Sequence, residues 1–128
     1  MSRTIFLTAC IFGVMAVMLG AFGAHGLQKL VDAKSVTSFE TGVRYQMYHA
    51  FFLFILGLLP AISERIKRII FYFLVSGVVL FSFSIYLLAI NSLVDFDFKM
   101  IAFITPIGGF LLITAWSVLG YTIYKIKR

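Results

Sequence analysis

Gly42, Tyr45, Gln46 and His49 are the residues of this 128-residue chain whose types and spacing could do chemistry. Separations of three, four and seven put them on one face of a helix. An imidazole, a phenol and a carboxamide on one face can donate, accept and relay protons. A second histidine, His25, closes an earlier apolar run. If the two helices run antiparallel, His25 and His49 come to similar depth. His25, Tyr45, Gln46 and His49 then form a small polar pocket open to the outer side. Such a pocket could take a ligand or pass a proton. The same four groups could instead hydrogen-bond one another and lock two helices together. Two histidines without a third ligand fall short of the three or four that zinc sites use, so no metal and no cofactor is expected. Ligation of haem by the histidine pair is the one redox alternative. No nucleophile has a base near it in sequence, and no glycine loop with a lysine cradles phosphate. The chain is expected not to be an enzyme.

The elements that must position these residues are set by charge, or its absence. Residues 4–28, 45–63, 69–94 and 100–124 contain no Asp, Glu, Lys or Arg. About 20 apolar residues let a helix cross a hydrocarbon core roughly 30 Å thick. The expected fold is therefore all-α, a bundle of four transmembrane helices, with spans at about 4–25, 45–62, 69–91 and 100–124. These spans use most of residues 1–128, so a single membrane domain is expected. The composition agrees, with 62% hydrophobic and 12% charged residues, against about 25% charged in soluble domains.

The net charge of +6 does not point to nucleic acid, because the basic residues sit at span ends. Arg3, Arg65, Lys67, Arg68, Lys125, Lys127 and Arg128 fall on one side, and Lys29, Lys34, Arg44 and Lys99 on the other. Cytoplasmic loops carry the excess of Lys and Arg, so both termini are expected in the cytoplasm. The first apolar run is longer than a signal-peptide core and is expected to be retained. Cys10, the single cysteine, is expected to be a small apolar residue within that span.

Packing signals follow. Ala9, Gly13, Ala16, Gly20 and Gly23 recur at steps of four and three, a face on which two helices can approach closely. Gly26 is expected to end the first helix with a positive φ, and residues 27–31 to lie at the surface. Thr37 and Glu40 read as a capping box, starting the second helix near Ser38. Glu40 and Arg44 should then pair on its exposed side. Gly77 and Ser84 share a face of the third span. Pro106, followed by Gly108 and Gly109, should bend the fourth.

Four motifs carry a family resemblance. They are Gly20-Ala21-Phe22-Gly23-Ala24-His25-Gly26-Leu27, Thr41-Gly42-Val43-Arg44-Tyr45-Gln46-Met47-Tyr48-His49, Leu80-Phe81-Ser82-Phe83-Ser84-Ile85-Tyr86, and Thr105-Pro106-Ile107-Gly108-Gly109 with Trp116 after it. Together they resemble the YgdD/YwdK-like family of small membrane proteins, domain of unknown function 423, related to the eukaryotic transmembrane protein 256. Phe83 and Ala115 stand where that family often has glycine. The resemblance covers nearly the whole chain and implies a four-span protein of the bacterial inner membrane without an established catalytic activity. The expected function is a non-enzymatic membrane component acting through lipids, other membrane proteins or further copies of itself. The alternatives are a small oligomeric transporter or channel with an outward-facing His/Tyr/Gln pocket, and a redox-type subunit. No carboxylate lies within the four uncharged stretches, which weighs against coupled transport.

Overall fold

The computed structural model describes residues 1–127; Arg128, counted above with the basic C-terminus, lies outside them. The chain is all-helical, and among the described residues there is no strand. Helix α1 covers Ser2–His25, α2 Ala33–Leu58, α3 Glu64–Val78, α4 Ser84–Ala89 and α5 Ile104–Lys125. A π-helical turn, Val79–Phe83, joins α3 to α4, so the two form one rod. Short 3₁₀ turns at Leu27–Lys29, Asn91–Leu93 and Phe98–Ile101 occupy the connections. Among the described residues three helical stretches are long and apolar enough to cross a membrane: Ser2–Lys29, Glu64–Ala89 and Phe98–Lys125. The α2 helix is long enough but more polar, and it falls outside that set.

Several boundaries differ from the sequence reading, each for a local reason. Helix α2 starts five residues before Ser38, because Asp32 caps it: its side chain accepts the Ser35 N–H at 2.8 Å. That bond holds the Asp32 carboxyl below its ordinary range. The expected capping box is therefore absent, and Thr37 turns back to donate to the Ala33 carbonyl at 3.0 Å. Arg44 donates to Thr41 at 3.1 Å rather than pairing with Glu40. Among the described residues the one ion pair joins the Met1 amino group to Glu64. Gly26 keeps a right-handed backbone, φ −101° and ψ −51°, and the chain leaves α1 through the 3₁₀ turn. Leu27 in that turn is not superficial; it is fully buried beside Phe39, Tyr86 and Ala89. Pro106 lies in the first turn of α5, where backbone N–H groups have no intrahelical partner, so its missing donor breaks no helical bond.

The main core joins Ile5, Ala9 and Phe12 of α1, Leu53 and Leu56 of α2, Leu74 and Val78 of α3, and Leu112, Ala115 and Leu119 of α5. Glycines set how closely these helices meet. A Cβ on Gly108 would lie 2.4 Å from the Phe81 backbone nitrogen, so α5 touches the π-helical turn backbone to backbone. One on Gly77 would fall 2.7 Å from Leu112, and one on Gly23 3.1 Å from Phe39. Gly20 faces Val43 at 3.4 Å and Gly109 faces Phe81 at 3.6 Å, ordinary contacts. Gly13, expected on the packing face with Gly20 and Gly23, has nothing within 4 Å. Its neighbours in the stripe, Ala9 and Ala16, are buried.

These distances separate two alanine substitutions of the same type. Gly108→Ala forces backbone apart and should destabilise the protein by at least about 1–3 kcal/mol, the usual cost of overpacking. Gly13→Ala meets open space and should leave stability unchanged or raise it by up to about 1 kcal/mol, since alanine is the better helix former. Thermal unfolding in detergent compares the two. Equal effects would contradict the α5–π-turn contact.

Candidate functional site

Gln46 sits at the centre of the polar residues, with no exposed surface. Its Nε2 donates to the Phe12 carbonyl of α1 at 2.8 Å. Its Oε1 accepts the Tyr86 hydroxyl of α4 at 2.7 Å. One carboxamide thus ties three helices together. One turn earlier on the same face, the Gly42 carbonyl accepts the Ser82 hydroxyl at 2.8 Å. Gly42 must be glycine here, because a Cβ would stand 2.7 Å from the Tyr86 ring. On the far side of the rod, Ser84 and Thr105 share a 2.6 Å hydrogen bond, which fastens α4 to the start of α5.

His49 closes the network toward α5. The Trp116 indole nitrogen donates to its Nε2 at 3.1 Å, and indole has no accepting site. Nε2 must therefore be unprotonated. The proton sits on Nδ1, which donates to the Tyr45 carbonyl at 2.6 Å. Both ring nitrogens are occupied, and the ring is held in one neutral tautomer. Phe52 packs edge-on to Trp116, centroids 4.5 Å apart, and fixes the indole.

The structure separates the two histidines that the sequence placed together. Gly23 lies beside Phe39, Gly20 beside Val43 and Gly57 beside Phe6. That antiparallel register sets His49 level with Gly13, about three turns or roughly 18 Å from His25 along the axis. His25 is exposed at the end of α1, and among the described residues no hydrogen bond involves its side chain. The cause is the early start of α2: with the helix beginning at Ala33, His49 lies deep in it. Tyr45 joins the site through its carbonyl; its ring packs on Phe81, centroids 5.0 Å apart. Sequence reasoning missed Tyr86, Ser82, Thr105 and Trp116 as polar partners. The signal available was chemical: a phenol or indole held inside a membrane bundle needs an acceptor.

Between α2 and α5 a cleft of about 310 Å³ opens sideways, lined by Tyr45, His49, Phe81, Gly109, Leu112, Ile113 and Trp116. Its walls are mostly aromatic and aliphatic, and the His49 imidazole in it has no free nitrogen. Among the described residues no group of three or more His, Cys, Asp and Glu side chains could hold a metal ion. Among them also, no buried side-chain polar atom lacks a partner.

Apolar helices around a sealed polar seam define an integral membrane protein, and comparison with known proteins gives its family. Residues 19–109 match the family described as "Protein of unknown function (DUF423)", and the chain belongs to that family. It is 40% identical over 131 residues to the UPF0382 inner membrane protein YgdD of Escherichia coli K12, covering 99% of this chain and 94% of that one. A UPF0382 membrane protein of Staphylococcus saprophyticus is 38% identical, over 88% of this chain and 90% of the relative. One from Haemophilus influenzae is 36% identical, over 90% and 89%. No solved structure matches. The chain is thus a small multi-pass membrane protein, related to proteins named as residing in the inner membrane.

The hub can be tested by its asymmetry. Gln46→Leu strands the Tyr86 hydroxyl and should destabilise by roughly 1–2 kcal/mol. Tyr86→Phe added to Gln46→Leu removes the stranded group and should recover part of that loss. A double-mutant cycle on unfolding in detergent measures the coupling. Strict additivity would mean that the two side chains do not interact.

Proposed function

We propose that this protein is a non-enzymatic, four-span component of the bacterial inner membrane, working through contacts with lipid and with other membrane-embedded chains. The observation that carries this reading is the closed hydrogen bonding of the polar seam. A general acid, base or nucleophile needs a free proton or lone pair within reach of a substrate. His49 has neither, and Gln46 is engaged at both ends. Of the four residues that suggested a pocket, Gln46 and His49 act here as fasteners between helices. The aromatic cleft beside them opens near mid-depth, where a bilayer offers acyl chains, and lipid chains fill it.

Helix α2 is the fourth span of this reading. Its 26 residues reach about 39 Å at 1.5 Å per residue, more than the hydrocarbon core. Its polarity resides partly in Gln46 and His49, which are buried among the other helices, so lipid does not meet them. Orientation follows from the basic residues. Lys67, only 3% exposed, donates to the Gly57 carbonyl at 3.3 Å, where a cation also complements the C-terminal end of α2. The cluster around Lys67 lies on the side of both termini and marks it as cytoplasmic.

Reporter fusions test topology span by span. Alkaline phosphatase fused after Val31 should be active, and after Ser63 inactive. Equal activity at the two points would remove α2 from the bilayer. A fusion at the C-terminus should be inactive, and an active one would reverse the orientation. Purified protein should show no haem absorbance. Solute flux into proteoliposomes that His49→Ala abolishes would replace this reading with a transporter.

A further inference from the structure

The outward face of α2 carries groups that lipid cannot satisfy. Thr41, Arg44, Tyr48, Phe51, Ile55 and Leu58 follow steps of three and four, the repeat with which one helix packs against another. Tyr48 is 52% exposed and Phe51 60% exposed. Of the six tyrosines, Tyr86 is bonded to Gln46, Tyr45 packs its ring on Phe81 in the cleft toward α5, and Tyr72, Tyr121 and Tyr124 lie within about a turn of Arg68 or Lys125, where water reaches. Tyr48 has none of these settings. The α1–α2 register sets it level with Val14, near the middle of α1, and among the described residues its hydroxyl bonds to nothing. An unpaired hydroxyl in hydrocarbon is costly.

Nearer the outer end the same face holds two opposite charges. Glu40 and Arg44 are four apart, yet they do not pair with each other, and among the described residues neither has another ion-pair partner. A negative and a positive group one turn apart form a self-complementary patch. Across a two-fold axis, Glu40 of one copy meets Arg44 of the other, and the contact occurs twice. Two Tyr48 hydroxyls brought together can donate and accept in turn.

We propose that a second copy of this chain packs on this face, α2 against α2, about a two-fold axis along the membrane normal. Both copies share one topology, so the paired helices are parallel and equal depths meet. This deepens the reading of α2 as a span and rests on it. Phe51 supplies the apolar knob below the Tyr48 pair, and the Glu40–Arg44 pairs fix the register above it.

Single cysteines introduced in a Cys10→Ala background test this in intact membranes. Under mild oxidation Tyr48→Cys, Phe51→Cys and Ile55→Cys should give disulfide-linked dimers, whereas Phe54→Cys on another side of α2 and Ile113→Cys on α5 should stay monomeric. Glu40→Arg or Arg44→Glu alone should lower the dimer yield of Phe51→Cys, and the two reversals together should restore it. Labelling separates the two readings. If a membrane-impermeant maleimide modifies Tyr48→Cys, α2 does not span and that reading falls first. If Tyr48→Cys is protected but forms no dimer, the span stands and the dimer is overturned. Dimers that favour Ile113→Cys, or adducts of another mass, would also overturn it.

Discussion

The structure depends on one constraint: a polar side chain within hydrocarbon must find its partner inside the protein. Gln46 meets it most fully. Its carboxamide reaches a carbonyl on α1 and a hydroxyl on α4, so the position of three helices is coupled to one side chain. Ser82 to Gly42, Ser84 to Thr105 and Trp116 to His49 extend the same logic to the remaining contacts. Helices in lipid gain little hydrophobic free energy from meeting one another. Apolar faces alone would pack at many offsets, and hydrogen bonds of fixed length select one.

Glycine and the π-helical turn make those bonds reachable. The Gly108 contact brings α5 against the backbone around Phe81, close enough for Thr105 to reach Ser84. Gly42 lets the Tyr86 ring come close against α2, with its hydroxyl bonded to Gln46. A π-helical turn places an extra residue in a helix, which rotates the residues after it relative to those before. Here Ser82 within the turn addresses α2, and Ser84 just after it addresses α5. The rod serves two neighbours with two serines only two residues apart.

Helix content and membrane character were legible in the uncharged stretches, because the cost of charge in lipid is large and local. The face of α2 was legible in part: Gly42, Gln46 and His49 point into the bundle, whereas Tyr45, read onto the same face, is 40% exposed beside the cleft toward α5. Depth was not. The Thr37–Glu40 pattern imitated a helix start, but Asp32 lies earlier and captures the Ser35 N–H first. That shift drove His49 inward and separated it from His25. Partners contributed by other helices were invisible for a different reason. Nothing local in sequence ties Trp116 to His49 or Tyr86 to Gln46; only helix packing does.

The two faces of α2 pose the same chemical question and answer it differently. Inward, the hydrogen-bonding capacity of Gln46 and His49 is matched by neighbours, and apolar packing closes around them. Outward, among the described residues, Tyr48 and Glu40 have no side-chain hydrogen bond and Arg44 reaches only Thr41 of its own helix. Lipid could have been met there with leucine and phenylalanine, as it is on α5, where Phe110 and Ile113 are exposed and Thr114 folds its hydroxyl onto the Phe110 carbonyl at 2.9 Å. A tyrosine hydroxyl stands too far from its own backbone to fold back in that way. In the proposed dimer its partner is the same hydroxyl of the second copy. What lowers the hydropathy of α2 below that of the three more apolar stretches is therefore of two kinds, an internal seam that builds the bundle and an outward face on which the proposed dimer rests.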